Sequence, residues 1–225
     1  MCEPSPIQPD TSLADLASSW AGASRVFQRH DLDYCCQGGQ SLATACQQRR
    51  IPVDAVIAEL RAAVVPAPPE ADWHALPLAR LIAHVVDHFH ASHRRELPRL
   101  QSMAAKVEQV HATHLDCPHG LAAHLHAMTH DLEQHMQKEE NVLFPLLLAG
   151  GSLSAWAPIQ CLQSEHESHG VALARLRWLA RAFAAPKDAC PTWRALYLGL
   201  LEFERAVMEH IHLENHVLFP RALGA

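Results

Sequence analysis

A duplicated segment constrains the fold of this chain more than any other feature. HMQKEENVLFP begins at His135 and HIHLENHVLFP begins at His210, and the copies agree at the His, at a Glu four residues later and at Val-Leu-Phe-Pro. Residues four apart on an α-helix lie on the same face, so each copy presents a His and a Glu together. The repeat therefore predicts either duplicated packing or two halves of one chemical site.

Helical periodicity surrounds both copies, and strand patterns are lacking. Apolar residues at helical spacing predict four long helices, at about 75–110, 120–148, 158–184 and 192–219. Segments with Gly or Pro separate them, and Pro98 is expected to kink the first helix or to end its first part. Four long helices with short connections predict an all-α, up-down four-helix bundle.

The first part of the chain is predicted to form a separate, small helical domain. Its expected helices are Leu13–Ser19, Ala23–His30, Leu42–Arg50 and Val53–Val64, with Ser41 as an N-cap. The Pro-rich stretch that follows is expected to be an extended linker, because Pro forces the preceding residue out of the helical region. The predicted domains are 1–63 for the small helical domain, 64–72 for the linker and 73–225 for the four-helix bundle.

Charge and composition argue against several classes of function. The net charge is −6 and no block of Lys and Arg occurs, so nucleic acid or an anionic membrane surface is not expected as the main partner. No apolar run reaches the roughly 18 residues of a membrane span, and the first residues do not read as a secretion signal, so we expect a cytoplasmic protein. The seven cysteines are odd in number and predict mostly reduced thiols.

Histidine is unusually frequent, with 18 residues, as many as Lys and Arg together. His90 precedes the first copy and His166 precedes the second copy by nearly equal separations. If each half is a helical hairpin, two hairpins about a pseudo-twofold axis would bring six groups together. These groups are His90, His135, Glu139, His166, His210 and Glu214.

Four imidazoles and two carboxylates inside a bundle are unfavourable unless a cation compensates for the buried charge. Carboxylates can bridge two metal ions while imidazoles fill terminal positions. This mixed donor set suits iron or manganese better than structural zinc, and it leaves positions open for water, an oxo bridge or a small diatomic ligand. A surface hydrogen bond or a capping contact is the plainer alternative for each His–Glu pair. The Val, Leu and Phe that follow each pair are expected to be core, and Pro145 and Pro220 are expected to restrict the backbone near the helix ends.

Cys35 and Cys36 are a second candidate site, in a loop that Gly38 and Gly39 mark as a turn. Adjacent cysteines cannot easily form an unstrained disulfide with each other. They could bind iron, react with an oxidant or form mixed disulfides, and thiolate character decides between these outcomes. Two semi-buried apolar side chains are the alternative.

Three residues close to the predicted ligands are expected to support them: His93, Asp131 and Glu165. The acidic groups would orient imidazoles or line an iron path, the alternative being solvated helix charges. Glu140, His212 and His216 are expected to point away from the two His–Glu faces.

Together these motifs resemble the hemerythrin-like bundle and, more specifically, the repair-of-iron-centres family of di-iron proteins. The resemblance covers nearly the whole chain. It rests on Asp33-Tyr34-Cys35-Cys36, Phe89-His90-x-x-His93-Arg94, Ser164-Glu165-His166 and the two copies that begin at His135 and His210. One departure is Gln37, where the resemblance leads us to expect a glycine directly after the paired cysteines.

The resemblance implies a non-haem di-iron centre of two iron ions, bridged by oxo and carboxylate groups. It implies that the four histidines are terminal ligands and that Glu139 and Glu214 are the bridging carboxylates. It further implies a cytoplasmic role in restoring iron-sulfur clusters damaged by nitric oxide or oxidants. The expected partners are damaged iron-sulfur proteins, with nitric oxide or oxygen as a small ligand, and the resemblance suggests a homodimer formed through the N-terminal domain.

Three alternatives stay open beside repair. The chain could be a carrier or sensor of oxygen or nitric oxide, a nitric oxide or peroxide reductase, or a structural bundle without metal. The domain with Cys35 and Cys36 favours repair, because a simple carrier needs only the bundle. We therefore expect a repair protein without a defined turnover reaction.

Overall fold

The computed structural model describes residues 5–63, 65–66, 73, 75–150 and 152–224. The chain divides into two compact units, Met1–Leu81 with Met208–Ala225, and Ile82–Val207. In the described part of the chain, the secondary structure is helical apart from one pair of two-residue strands and a single bridge between Ser12 and Ser41. None of the helices described is long and apolar enough to cross a membrane.

Four short helices form the N-terminal part of the first unit. They are α1 Leu13–Ser19, α2 Ala23–Arg29, α3 Leu42–Arg49 and α4 Val53–Ala63. The predicted helices are confirmed to within one residue at each end, and Ser41 is the N-cap of α3, where its side chain accepts a hydrogen bond from the Thr44 N–H. Their buried faces form one hydrophobic core whose largest members include Leu13, Leu16, Phe27, Tyr34, Leu42 and Leu60.

Most of the predicted linker lies outside the described residues. The exceptions are Val65–Pro66, a two-residue strand β2 that pairs antiparallel with strand β1, Trp20–Ala21. The boundaries 1–63, 64–72 and 73–225 stay a prediction.

Longer helices follow, several of them interrupted by π turns. They are α5 Leu78–His84, π1 Val85–His90, α6 Ala91–Val110, α7 Leu121–Lys138, π2 Glu139–Leu143, α8 Phe144–Leu148, α9 Ser152–Leu179, a 3₁₀ turn Arg181–Phe183, α10 Pro191–Leu213, π3 Glu214–Leu218 and α11 Phe219–Leu223. The prediction that the third long helix begins near residue 158 was wrong, because α9 begins at Ser152 and contains Pro158. Burial of Ala155 and Ile159 outweighs the hydrogen bond that Pro158 cannot make.

Pro98 was predicted to kink the first long helix or to end its first part. It does not end the helix, since α6 continues through Pro98 to Val110. Leu97 and Leu100 beside this proline are both buried. Their packing stabilises the helix where one backbone hydrogen bond is missing.

Four long helices pack around one another in the second unit. Helix α6 contacts α7, and α7 contacts α9. Arg177 in α9 donates to both oxygens of the buried Glu204 in α10, and the ring of His93 in α6 meets that of Phe203 in α10 edge to face at 5.8 Å. The contacts run from each helix to the next and back to the first, so the predicted four-helix bundle is confirmed.

The two copies of the repeat share a π turn that begins at their Glu. The N–H of Phe144 donates to the carbonyl of Glu139, and the N–H of Phe219 donates to that of Glu214, five residues earlier in each case. The Pro that follows each Phe has no N–H, so the regular ladder cannot continue and a widened turn is favoured. The sequence pattern predicted an uninterrupted helix here, because the spacing of apolar residues does not reveal one extra residue in a helical turn.

The Val-Leu-Phe residues of the two copies are buried as predicted, with one exception, whereas Pro145 is exposed and Pro220 is half-buried. Leu143 and Phe144 in the first copy are buried, as are their counterparts in the second copy. Val142 is 54% exposed, whereas Val217 at the same place in the second copy is fully buried. The second copy belongs to the unit that contains the N-terminal helices, and these cover its outer face.

Polar side chains of the second copy hold the loop between α2 and α3. His212 Nδ1 donates to the Tyr34 carbonyl oxygen at 3.3 Å, and His216 Nε2 donates to that of Cys35 at 3.0 Å. Asn215 Nδ2 donates to the same Cys35 oxygen at 3.2 Å. His212 and His216 thus have a structural contact that the sequence did not predict.

Gly38 is the place where the loop comes closest to this helix. A Cβ at Gly38 would lie 2.5 Å from His216 Nε2 and closer still to the Tyr34 carbonyl oxygen. Only a residue without a side chain fits there, whereas a Cβ at Gly39 would meet nothing within 4 Å.

We predict that Gly38→Ala lowers the free energy of unfolding by about 1–3 kcal/mol, because the added methyl group overpacks the contact between the loop and the helix. Gly39→Ala is the matched control and should change stability by less than about 0.5 kcal/mol. Urea unfolding followed by circular dichroism measures both. Equal losses in the two variants would contradict the close approach at Gly38.

Candidate metal centre

Four of the predicted ligands meet in the interior of the second unit: His90, His135, Glu139 and His166. All four side chains are at most 1% exposed. Glu139 Oε2 lies 3.2 Å from His90 Nε2, and Glu139 Oε1 lies 3.4 Å from His135 Nε2. His135 Nε2 in turn lies 3.1 Å from His166 Nε2. A carboxylate that turns one oxygen to each of two imidazoles has the arrangement of a bridging ligand.

The π turns position two of these groups. His90 is the last residue of π1, and Glu139 is the first residue of π2. Such turns are frequent at functional sites because they rotate the following side chains relative to a regular helix.

The chemistry of this cluster fits a cation. Neither oxygen of Glu139 accepts a hydrogen bond from any described residue, although both are fully buried. A buried carboxylate without donors, facing ring nitrogens at more than 3 Å, is unfavourable unless a positive charge lies between them. Imidazole nitrogens and carboxylate oxygens are the donors that iron accepts in proteins.

The remaining two predicted ligands pair within the first unit. His210 Nε2 lies 3.2 Å from Glu214 Oε1, and both side chains are at most 1% exposed. The corresponding distance in the first copy, from His135 to Glu139, is 3.4 Å. The duplicated sequence therefore produces the same local geometry twice.

Glu140 is a functional candidate that sequence reasoning missed, since it was expected to point away. Its Oε1 lies 2.7 Å from His90 Nδ1 and accepts a hydrogen bond of 2.7 Å from Arg94. Burial raises the pKa of Glu140, but the hydrogen bonds from Arg94 and His90 outweigh burial, so its pKa lies below the ordinary value. An ionised Glu140 holds the proton on Nδ1 of His90 and leaves Nε2 as a metal donor. The sequence signal that could have identified Glu140 was Arg94, in the motif Phe89-His90-x-x-His93-Arg94.

Glu165, one of the predicted supporting residues, has the same relation to His135. Its Oε2 lies 2.9 Å from His135 Nδ1, and its other oxygen pairs with Lys138. Burial raises the pKa of Glu165, and the hydrogen bonds from Lys138 and His135 more than reverse this, so the group is held ionised. His90 and His135, both predicted ligands, are thereby each fixed in orientation by a carboxylate.

The other two predicted supporting residues lie elsewhere. His93 is buried, and its ring packs between those of Phe89 and Phe203. Asp131 is exposed and lines a cavity of about 170 Å³ together with Glu165. The same cavity is lined by His169, which the sequence did not single out. The His169 ring lies 4.9 Å from that of His135, and burial, with the charges of His135 and His166, lowers its pKa to about 3.

The bundle and its buried cluster define a hemerythrin-type cation-binding domain. Residues 81–222 match the family model described as "Hemerythrin HHE cation binding domain", and residues 9–64 match that described as "Domain of Unknown function (DUF542)". The chain is 44% identical to the iron-sulfur cluster repair protein YtfE of Pectobacterium carotovorum, over 95% of this chain and 97% of that protein.

Two further relatives carry the same name. The protein of Musicola paradisiaca is 44% identical over 95% of this chain and 96% of its own length, and that of Yersinia pseudotuberculosis is 43% identical over 94% and 96%. The chain belongs to this family of hemerythrin-domain proteins, in agreement with the resemblance noted from its motifs.

We predict that Glu140→Gln weakens iron binding about 10- to 100-fold, because an amide no longer holds the His90 imidazole by a charged hydrogen bond. Iron retention against graded concentrations of a chelator measures this. Glu133→Gln is the matched control, since Glu133 also accepts hydrogen bonds from Arg94, at 2.9 and 3.1 Å. If Glu133→Gln weakens binding equally, the charge near Arg94 matters and the orientation of His90 does not.

Proposed function

We propose that this protein is a non-haem di-iron protein that takes part in repairing iron-sulfur clusters damaged by nitrosative and oxidative stress. The observation that carries the proposal is the buried Glu139, whose two oxygens face two histidines within a hemerythrin-type domain. Relatives named iron-sulfur cluster repair proteins match almost the full length of the chain and support the same conclusion.

The proposed centre contains two iron ions held by six residues. His90, His135, His166 and His210 would supply imidazole ligands, and Glu139 and Glu214 would supply the carboxylate ligands shared by the two ions. The equal geometry of the two His–Glu pairs supports this assignment, because a site with pseudo-twofold symmetry needs one pair from each copy. When bound, the iron supplies a redox-active centre with room for an oxo bridge and for a small ligand such as nitric oxide or oxygen.

The residues around the ligands prepare the site for this chemistry. Glu140 and Glu165 keep the Nδ1 protons of His90 and His135 in place, so that the Nε2 atoms are available as donors. The cavity lined by Asp131 and Glu165 would provide a route along which iron enters or leaves.

The N-terminal loop favours repair over simple transport of a gas. A carrier needs only the bundle, whereas here Asn215 and His216, next to the ligand Glu214, hold the loop with Cys35 and Cys36. We place the protein in the cytoplasm as a homodimer through its N-terminal domain, with damaged iron-sulfur proteins as clients and no defined turnover reaction of its own.

We predict about two spin-coupled irons per chain in protein isolated without oxygen, and loss of this signal in both Glu139→Ala and Glu214→Ala, because each variant removes a bridging ligand. Iron analysis and Mössbauer spectroscopy measure it. Glu167→Ala, which changes an exposed residue beside His166, should keep both irons. Full retention of iron in both bridging variants would rule out the ligand assignment.

Repair is tested separately with a dehydratase whose iron-sulfur cluster has been destroyed by nitric oxide. We expect the iron-loaded protein to restore dehydratase activity, and Glu139→Ala to restore at most a tenth as much, since removing a metal ligand costs on the order of tenfold or more. Equal recovery with the wild-type protein and with an iron salt alone would contradict the repair function.

A further inference from the structure

Three potential metal donors converge in the loop between α2 and α3, among residues of the first unit alone. Cys35 Sγ lies 3.3 Å from Asp33 Oδ1 and 3.7 Å from Cys36 Sγ. One donor atom from each of the three residues lies within 4.8 Å of the others. The proposed iron ligands are not part of this group.

The distance between the two sulfur atoms fits a shared ion better than a disulfide. Sulfur atoms in a disulfide are about 2.05 Å apart. Two thiolates that bind one tetrahedral ion, each about 2.3 Å from it, are separated by about 3.8 Å. The observed 3.7 Å, at which the two thiols form a hydrogen bond, is also the separation that the second arrangement requires.

The loop is held in this shape from both sides. Asp33 Oδ1 accepts hydrogen bonds from the N–H groups of Cys35 at 3.2 Å and Cys36 at 2.9 Å. The Cys35 carbonyl accepts from Asn215 and His216 on π3. Because backbone and side chains are already fixed, binding of an ion would require little ordering of the loop.

Burial and the neighbouring acidic groups disfavour the ionised form of the Cys35 thiol. The hydrogen bond with Cys36, burial, and the charges of Cys36 and Asp33 all raise the pKa of Cys35. A divalent cation removes this penalty, because it neutralises the neighbouring negative charges and deprotonates a coordinating thiol outright.

The loop also offers a path for the ion. Asp33 and Cys36 are only half-buried. Asp33 and Gln37 line an open pocket of about 260 Å³, so solvent reaches the carboxylate directly. Three protein donors leave the fourth tetrahedral position to water, which is typical of sites that exchange their ion or their ligands.

We propose that Asp33, Cys35 and Cys36 form a second metal site, which binds one thiophilic divalent cation such as Fe²⁺ or Zn²⁺. Binding forms two metal–sulfur bonds and one metal–oxygen bond, the two thiol protons pass to solvent, and no electron is transferred. The site is separate from the proposed di-iron ligands, so either assignment can fail without the other.

Cobalt(II) is the probe, added to the reduced, full-length protein as isolated. Thiolate coordination to Co²⁺ produces an intense charge-transfer band in the near ultraviolet, which nitrogen and oxygen donors do not produce. We expect this band to saturate at about one Co²⁺ per chain, to disappear on addition of Zn²⁺, and to be lost in Cys36→Ser. Asp33→Asn should weaken Co²⁺ binding at least tenfold.

Two other cysteines provide matched controls. Cys161 is exposed, and Cys190 Sγ lies 3.2 Å from His111 Nε2, so that pair is the rival sulfur–nitrogen site. Cys161→Ser and Cys190→Ser should both keep the band. Absence of the band in the wild-type protein, its persistence in Cys36→Ser, or its loss in Cys190→Ser would each overturn the proposal.

Cys36 is half-buried, so Cys36→Ser should fold normally, which circular dichroism verifies. The iron content of this variant separates the two sites. Iron retained while the cobalt band is lost supports two independent sites, whereas loss of iron together with the band would contradict a separate site in the loop.

Discussion

The buried carboxylate of Glu139 is the constraint on which the rest of the bundle depends. Its oxygens face His90 from one helix and His135 from its own, and it accepts no hydrogen bond from the residues described. A charge in that position is tolerated only if a cation compensates for it and if the surrounding imidazoles are fixed. The Glu140 and Glu165 carboxylates meet the second requirement, because they contact Nδ1 of His90 and Nδ1 of His135.

The two copies of the repeat share their inner face and differ on their outer face. In the first copy the outer positions are Gln137 and Asn141, both exposed, and in the second they are His212 and His216, which bind the loop of the N-terminal helices. Glu140 in the first copy and Asn215 in the second occupy the same place in the repeat and also differ in their contacts. Glu140 contacts the imidazole of His90, whereas Asn215 donates to the Cys35 carbonyl oxygen. The two copies thus have the same His–Glu geometry on the inner face and different contacts on the outer face.

The chain carries two donor sets of different chemical character. Imidazole and carboxylate in the bundle interior suit a metal ion such as iron. The dithiol loop, with Asp33 and Cys36 half-buried, suits an ion that exchanges. Asn215 and His216 hydrogen-bond the loop to the turn that begins at Glu214.

The sequence by itself determined the helices and the two His–Glu pairs, because both follow from the local period of 3.6 residues and from a repeated motif. It also predicted the N-cap at Ser41 and a carboxylate contact at Glu165. Only the tertiary structure decided the π turns, the exposure of Val142 and the partners of Glu140, His169 and His216. The exposure of Val142 and the contacts of these side chains depend on which segments, distant in sequence, meet in space. The π turns depend on a single extra residue in a helical turn, which the spacing of apolar residues does not reveal.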